Sequence, residues 1–520
     1  MSDAWLLPPV LLPLTTAMAL VPLSARPGPA RALSLVSAGA QAAVAVLLVR
    51  ATAGGATLVH RFGDWPVPQG IVFVGDRLAA LMLAVMTALA LPALWHAAHG
   101  EDAAGSYFHS FFHLQLAGLA GAFLTGDLFT LFVFFEVLLI ASYALLVHGA
   151  RPARLRWGVH YVVLNLVGST FFLAAAGAMY GLLGTLNLAE LARRVAALPA
   201  TYRTPVHAVA LLLLVVFALK AAVAPLHLWL AGTYAAAAPA VAALFAIMTK
   251  VGVYAVLRVF GVAFGPGAGA LSGVATRWLF PAALLTAAVG AAAALGRRDL
   301  PHQLGALLVL SVGTLVAAVA PLAVPGVAAG LYYLAHSTLA SGAMFLLAAS
   351  VGPAPAGAAT AAAPSRTAGR GRPPRTAAGA LFAAGAVAVA GLPPLSGFVG
   401  KTLVLASAPV GPRGWWLWGA VLGTSVVAVL ALVRSGIPLV WGGGSAEVEA
   451  DPGGDAPPAD SGPRAAPLLP AATLLALLVA LTVGAGPVIT FTTAAAEQLL
   501  APPDAPGGYV RAVLGATGGR

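Results

Sequence analysis

The sequence predicts an all-α polytopic membrane protein of about 14 transmembrane helices, built as two inverted five-helix repeats with discontinuous seventh and twelfth helices. Three observations carry this. Only 8% of the 520 residues are Asp, Glu, Lys or Arg, against roughly 25% in an average soluble domain. Hydrophobic residues make up 60% and mean hydropathy is +0.94, too apolar for polar side chains to cover the surface. Two apolar runs are interrupted by proline beside a lysine, at Pro225 near Lys220 and at Gly391-Leu392-Pro393-Pro394 before Lys401.

Apolar runs bounded by Gly, Pro and charge place spans near 5–22, 32–50, 71–95, 108–125, 128–148, 158–184, 205–230, 239–261, 278–295, 303–320, 327–350, 378–408, 415–440 and 467–493. Most are near or above the roughly 20 residues that a hydrocarbon core of about 30 Å demands. Long continuous runs of this kind disfavour a transmembrane barrel, whose strands alternate over about ten residues. Met1-Ser2-Asp3-Ala4-Trp5 lacks the positive stretch of a signal peptide, so the first span is expected to be retained. Spans four to eight (108–261) and nine to thirteen (278–440) are the expected inverted repeats, inside one membrane domain covering 1–520. Each has its broken helix fourth, and paired discontinuous helices point to an ion path between repeats. A proline kink without function is the competing reading of either break, because Pro is common in membrane helices. Two connections, 351–377 and 442–467, are low in complexity and are expected to be flexible loops without chemistry.

The formal charge of +11 is dispersed among connections, which speaks for orientation in a bilayer and against nucleic acid as a partner. Odd-numbered connections hold 13 arginines and even-numbered ones nine, counting Arg258 with the latter. This bias predicts odd connections in the cytoplasm and both termini outside a cell (inner) membrane. Cysteine is absent, which excludes disulfides, thiolate metal sites and Fe–S clusters held by this chain. No P-loop, dinucleotide fingerprint or nucleophile motif stands in a supporting context, so neither an enzyme nor a resident cofactor or metal is expected.

The cations divide by type. All three lysines, Lys220, Lys250 and Lys401, lie in or beside apolar runs, and the other 24 basic residues are arginines, read as loop cations. Guanidinium stays protonated, whereas a desolvated ammonium can lose its proton near neutral pH, so the lysines are candidate proton carriers. Snorkelling or structural ion pairing is the plainer alternative, strongest for Lys401 beside its break. Glu136, in "LFVFFEVLLIASYALL", is the one carboxylate deep in an apolar run. It should be neutral or paired, with Lys220 or Lys250 as partner, because a lone buried charge is too costly. His336 is well inside the eleventh span, as a relay or as a hydrogen-bonded packing residue. His109 and His113 share a helix face but lack a third ligand for a metal.

These residues stand in stretches that resemble the D subunit of the Mrp-type multisubunit Na+/H+ (cation/proton) antiporters, relatives of the antiporter-like membrane subunits of respiratory complex I. The marks are "LFVFFEVLLIASYALLVHG", "YVVLNLVGSTFFL", "YGLLGTLNLAELA", "KAAVAPLHLWLAGTYAAAAPAVAALFAIMTKVGVYAVLRVF" and "GLPPLSGFVGK", which run along nearly the whole chain. The resemblance implies a proton path along a central polar axis, with Glu136 and Lys220 as the driving pair, Lys250 as central carrier and Lys401 as carrier toward the second half-channel. It also implies partners: other subunits of a hetero-oligomeric complex, protons and monovalent cations such as Na+, and the lipid bilayer. The chain departs from the broader pattern where many relatives place a lysine in the eleventh span, and has His336-Ser337 and Ser341 there, so water and hydroxyls are expected to link Lys250 to Lys401. Competing functions are a proton-pumping subunit of a complex I or membrane-bound hydrogenase assembly, a stand-alone solute symporter, and a structural scaffold.

Overall fold

The computed structural model describes residues 3–351, 375–440 and 467–515. Its helices are α1 (Pro8–Leu20), α2 (Pro27–Ala53), α3 (Arg77–Ala97), α4 (Phe108–Leu124), α5 (Leu128–Val147), α6 (Pro152–Leu183) and α7 (Leu188–Ala196). There follow α8 (Ala200–Ala221), α9 (Leu230–Ala236), α10 (Pro239–Phe245), α11 (Met248–Val262), α12 (Thr276–Gly296), α13 (Leu300–Val319) and α14 (Val324–Val351). The chain closes with α15 (Arg375–Ala390), α16 (Ser396–Ala406), α17 (Pro412–Val440), α18 (Leu469–Val483), α19 (Ala485–Leu500) and α20 (Tyr509–Gly515). Each apolar run of the sequence lies largely on a helix or helix pair, the run 71–95 starting on a short strand before Arg77. Among the described residues ten helices are long and apolar enough to cross a membrane, or 11 if α18 and α19, bent by 80° at Gly484, form one span. The protein is thus an all-helical polytopic membrane protein. Most of 351–377 and 442–467 lies outside the described residues, although α15 already begins at Arg375.

Membrane helices gain little from hydrophobic exclusion of one another, so close backbone approach matters. Glycine supplies it where α12 meets α13: a methyl on Gly290 would collide with the backbone of Leu310, and one on Gly313 with that of Ala287. Gly252 of α11 lies likewise against Lys220 and Ala221 at the end of α8, which seats α11 directly on the first break.

Connections sort by parity. On one face Arg31 meets Asp102, His148 Nε2 lies 3.2 Å from the Glu101 carbonyl, and Arg154 Nε donates to the Ala236 carbonyl at 3.2 Å, joining the first, third, fifth and seventh connections. Arg434 donates to the Arg297 carbonyl at 2.6 Å, joining the ninth and thirteenth. On the other face a hairpin of β1 (Leu58–Arg61) and β2 (Val72–Gly75), with Leu58 opposite Gly75, is bridged to Thr125, and Asp127 is bridged to Asn187. Segments near both ends of the described chain reach this second face: Val59 N–H donates to Asp3 at 3.4 Å, and Gln498 to Thr57 at 2.8 Å.

The helix α7 also belongs to this face. Its Leu188, Leu191, Ala192 and Val195 are buried while Arg193 and Arg194 turn outward, and Asn187 caps it by accepting from Ala189 and Glu190 N–H groups. Burial pushes the Glu190 carboxyl up, but hydrogen bonds from Arg193 and Arg194 outweigh it and hold the group below the usual carboxylate range.

Candidate functional site

Glu136 stands on α5, facing α6. Ser169 Oγ donates a hydrogen bond to its Oε1, and one helical turn earlier Asn165 Oδ1 accepts from Lys220 Nζ at 3.1 Å. The spacing of four puts Ser169 and Asn165 on one face of α6, so a single helix presents a hydroxyl to the acid and an amide to the base. Among the described residues no ion pair within 4.0 Å includes Glu136, so the expected direct contact with Lys220 or Lys250 is not made, and the acid and Lys220 instead bond to successive turns of α6. The Phe135 ring lies 5.9 Å from Lys220 Nζ. A cavity of about 10 Å³, room for roughly one water, is lined by Tyr161, Asn165, Lys220, Trp229 and Met248.

The first break is closed by neutral groups. The helix α8 stops at Ala221, and Ala222 adopts a left-handed conformation with φ of 58°. Trp229 Nε1 donates to the Leu219 carbonyl at 3.1 Å, and Thr286 Oγ1 of α12 accepts from Ala224 N–H at 2.8 Å. Backbone polar groups at membrane depth are thereby satisfied without using the lysine.

Lys250 begins α11. It is 0% exposed, and no hydrogen-bond partner reaches its Nζ among the described residues. Beyond it, His336 Nδ1 is 2.9 Å from Ser396 Oγ, and a cavity of about 20 Å³ is lined by Ser311, Tyr333, His336, Ser337 and Ser341. Hydroxyl groups therefore occupy the stretch where the sequence lacks a further lysine.

At the second break the lysine itself closes the helix. Lys401 Nζ, on α16, donates to the Ala390 carbonyl at the end of α15 at 2.7 Å and to Ser425 Oγ of α17 at 2.8 Å. Gly391 takes φ of 78°, and a methyl there would meet the Lys401 side chain at 2.5 Å from Cδ, so glycine makes room for the capping ammonium.

One basic residue lies elsewhere than its sequence context predicts. Arg258, counted as a loop cation, is only 1% exposed on α11, and its Nη1 and Nη2 reach Asp76 Oδ2 and Oδ1 at 2.5 and 2.7 Å. Its Nε donates to Tyr254 Oη at 3.0 Å, and the Tyr509 ring packs 4.8 Å away. Asp76 also caps α3 by accepting from Ala79 N–H at 2.9 Å. Its position before the apolar run "RLAALMLAV" carries that capping signal, but not the partner 182 residues on. Thr286 and Ser425 likewise give no signal in the sequence, and Asn165, Ser169, Trp229 and Ser396 stand in the stretches that carry the resemblance without being singled out by their own chemistry.

A bundle of apolar helices with two proline breaks, buried lysines and hydroxyl-lined cavities defines a polytopic membrane protein of the ion-translocating kind. The family model described as "NADH:quinone oxidoreductase/Mrp antiporter, TM" matches residues 125–428, and the chain belongs to that family. It is 38% identical to the D subunit of a probable K(+)/H(+) antiporter of Rhizobium meliloti, over 96% of each chain. With the D subunit of a Na(+)/H(+) antiporter of Bacillus subtilis it shares 32% over 97% of this chain and 98% of the other. A chain in the Mrp complex of a Dietzia species superposes with a TM-score of 0.83 at 28% identity, over 98% of this chain and 99% of that one. A chain of respiratory complex I from Thermus thermophilus does so with 0.72 at 25% identity, over 96% and 100%.

Proposed function

We propose that this chain is the proton-translocating membrane subunit of a multisubunit monovalent cation/proton antiporter. The observation that carries the reading is Lys250, a fully buried amine with neither carboxylate nor hydrogen-bond partner among the described residues, standing between two broken helices that carry the other two lysines. An amine in such a place gains little by keeping its charge and can pass a proton on. In this account Glu136 and Lys220, coupled through Ser169 and Asn165, drive the movement. Lys250 is the central carrier, His336 the relay through the serine-lined cavity, and Lys401 the last carrier. Relatives named for Na+ or K+ exchange along nearly the whole chain support the antiporter reading, and their designation as subunits supports partner chains.

The finer architecture belongs to the same proposal. Fourteen spans arise if α1, α4, the α15–α16 pair and the α18–α19 pair each cross the bilayer, with repeats over 108–261 and 278–440. The two parity-sorted faces and the arginine excess on odd connections support a cell-membrane orientation with both termini outside.

The likeness to a complex I chain favours one second reading, a subunit of a redox-driven assembly. Purifying the native complex and identifying its subunits separates the two: cation antiporter subunits support the proposal, and quinone- or NADH-reactive subunits overturn it. Reconstituted in vesicles, the complex should move protons against an imposed Na+ or K+ gradient without any electron donor.

A further inference from the structure

Away from the lysine line, a second set of titratable groups is hydrogen-bonded into a chain at the odd-connection face. Arg31 of α2 holds Asp102, in the turn before α4, with two bonds of 2.5 and 2.7 Å. His109 Nε2 lies 3.1 Å from Asp102 Oδ2, and its Nδ1 lies 3.0 Å from Ser34 Oγ. The same hydroxyl is 2.9 Å from His113 Nε2, and the Ser34 carbonyl is 3.2 Å from it. Ser34 and His113 are fully buried, and His113 Nδ1 has no partner among the described residues. At the outer end a cavity of about 210 Å³, room for several waters, is lined by Asp102, His109 and Ser110.

We infer that Asp102, His109, Ser34 and His113 form a proton relay, additional to the lysine line, that connects the interior of α2 and α4 with water on the odd-connection face. The inference rests on the proton-translocating reading above. Hydrogen positions follow from the donor and acceptor inventory. An ionised Asp102 only accepts, so His109 Nε2 carries hydrogen and its Nδ1 accepts from Ser34. The Ser34 oxygen is then free to accept from His113 Nε2, which leaves the unpartnered Nδ1 as a bare lone pair facing inward. A proton bound there converts the chain in one pass. His113 Nε2 gives its hydrogen to Ser34, Ser34 gives its own to His109 Nδ1, and His109 Nε2 gives its hydrogen to the Asp102 carboxylate. Asp102 then releases a proton to cavity water, and each imidazole is left as its other tautomer, which must return to the first, with the Ser34 hydroxyl turned back, before a second proton passes the same way. Burial pushes the Asp102 carboxyl up, but hydrogen bonds from His109 and Arg31 outweigh it and hold it at about 2, so a proton arriving there does not stay. The groups facing the relay are Arg31, on α2, and His148, whose ring packs 5.0 Å from that of Phe108.

The relay has one link that a hydroxyl alone can make, and the test removes it. The assembled complex, with a pH dye trapped inside vesicles, is challenged with a Na+ or K+ gradient. Ser34→Ala should slow proton flux about 100-fold, the low end of what a positioned proton carrier contributes, while Ser34→Thr keeps it. If Ser34→Ala does not assemble, His113→Asn reads the same path, because its amide can hold a hydrogen bond but cannot pass a proton through. Wild-type flux in either assembled variant overturns the relay and leaves the lysine line standing. Absence of cation-driven flux in the wild-type complex overturns the proton-translocating reading, and the relay with it.

Discussion

Arg258 and Lys250 lie eight residues apart on one helix, and the structure treats them oppositely. The guanidinium of Arg258 makes two bonds to Asp76, one to Tyr254 and a ring contact with Tyr509. The ammonium of Lys250 makes no hydrogen bond among the described residues. A buried cation so completely answered is a fixed part of the architecture, since each partner would be stranded without the other. The proposed carrier role gives the second a reason to be left unanswered: a group that spends part of its cycle neutral needs no fixed counter-charge. On the proposed reading residue type follows the same division for this pair, with arginine where the charge persists and lysine where it can be given up.

The largest expected effect falls on the fixed pair. Asp76→Ala strands a buried guanidinium and should cost about 3–5 kcal/mol, seen as loss of assembled complex or a lower unfolding temperature. Intact stability would put Arg258 in the same class as the lysines and break the contrast. Next comes Glu136→Ala. It should cut cation-driven proton flux about 100-fold in a complex that still assembles, because Lys220 then has no acid bonded to the neighbouring turn of α6. Normal exchange in that variant would reduce Glu136 to packing. Lys401→Arg should be milder, about tenfold in flux, since a guanidinium can still donate to the Ala390 carbonyl and Ser425 that the ammonium caps. A loss as deep as that at Glu136 would instead make proton release at Lys401 obligatory. The smallest change is Trp229→Phe, which removes the indole bond to Leu219 and should lower stability by about 1 kcal/mol with exchange retained.

What is legible in the sequence follows the same physics. Rare residue types in apolar surroundings announce themselves, which is why Glu136, the three lysines, His336 and both proline breaks stand out from composition and spacing alone. Asn165 and Ser169 are ordinary residues of a membrane span, and their importance lies in partners 55 and 33 positions away on other helices. Arg258 is misleading for a related reason: near the end of a run, an arginine looks like a loop cation until Asp76 is found beside it. The 80° bend between α18 and α19 falls at Gly484, where Gly484-Ala485-Gly486-Pro487 marks a break but not its angle. Asp102, His109, Ser34 and His113 come from two helices and a turn, so only the packing of α2 on α4 reveals them as one chain.

Lys250→Arg tests the central claim most directly, because it keeps the charge and removes only the accessible neutral state. Guanidinium, with a pKa above about 12, cannot give up its proton in the cycle. Measured as cation-driven proton flux in vesicles containing the fully assembled complex, the variant should be inactive while its subunit composition and thermal stability match the wild type. Near-normal flux from an assembled Lys250→Arg complex would contradict proton carriage by this lysine and assign it a fixed charge like that of Arg258.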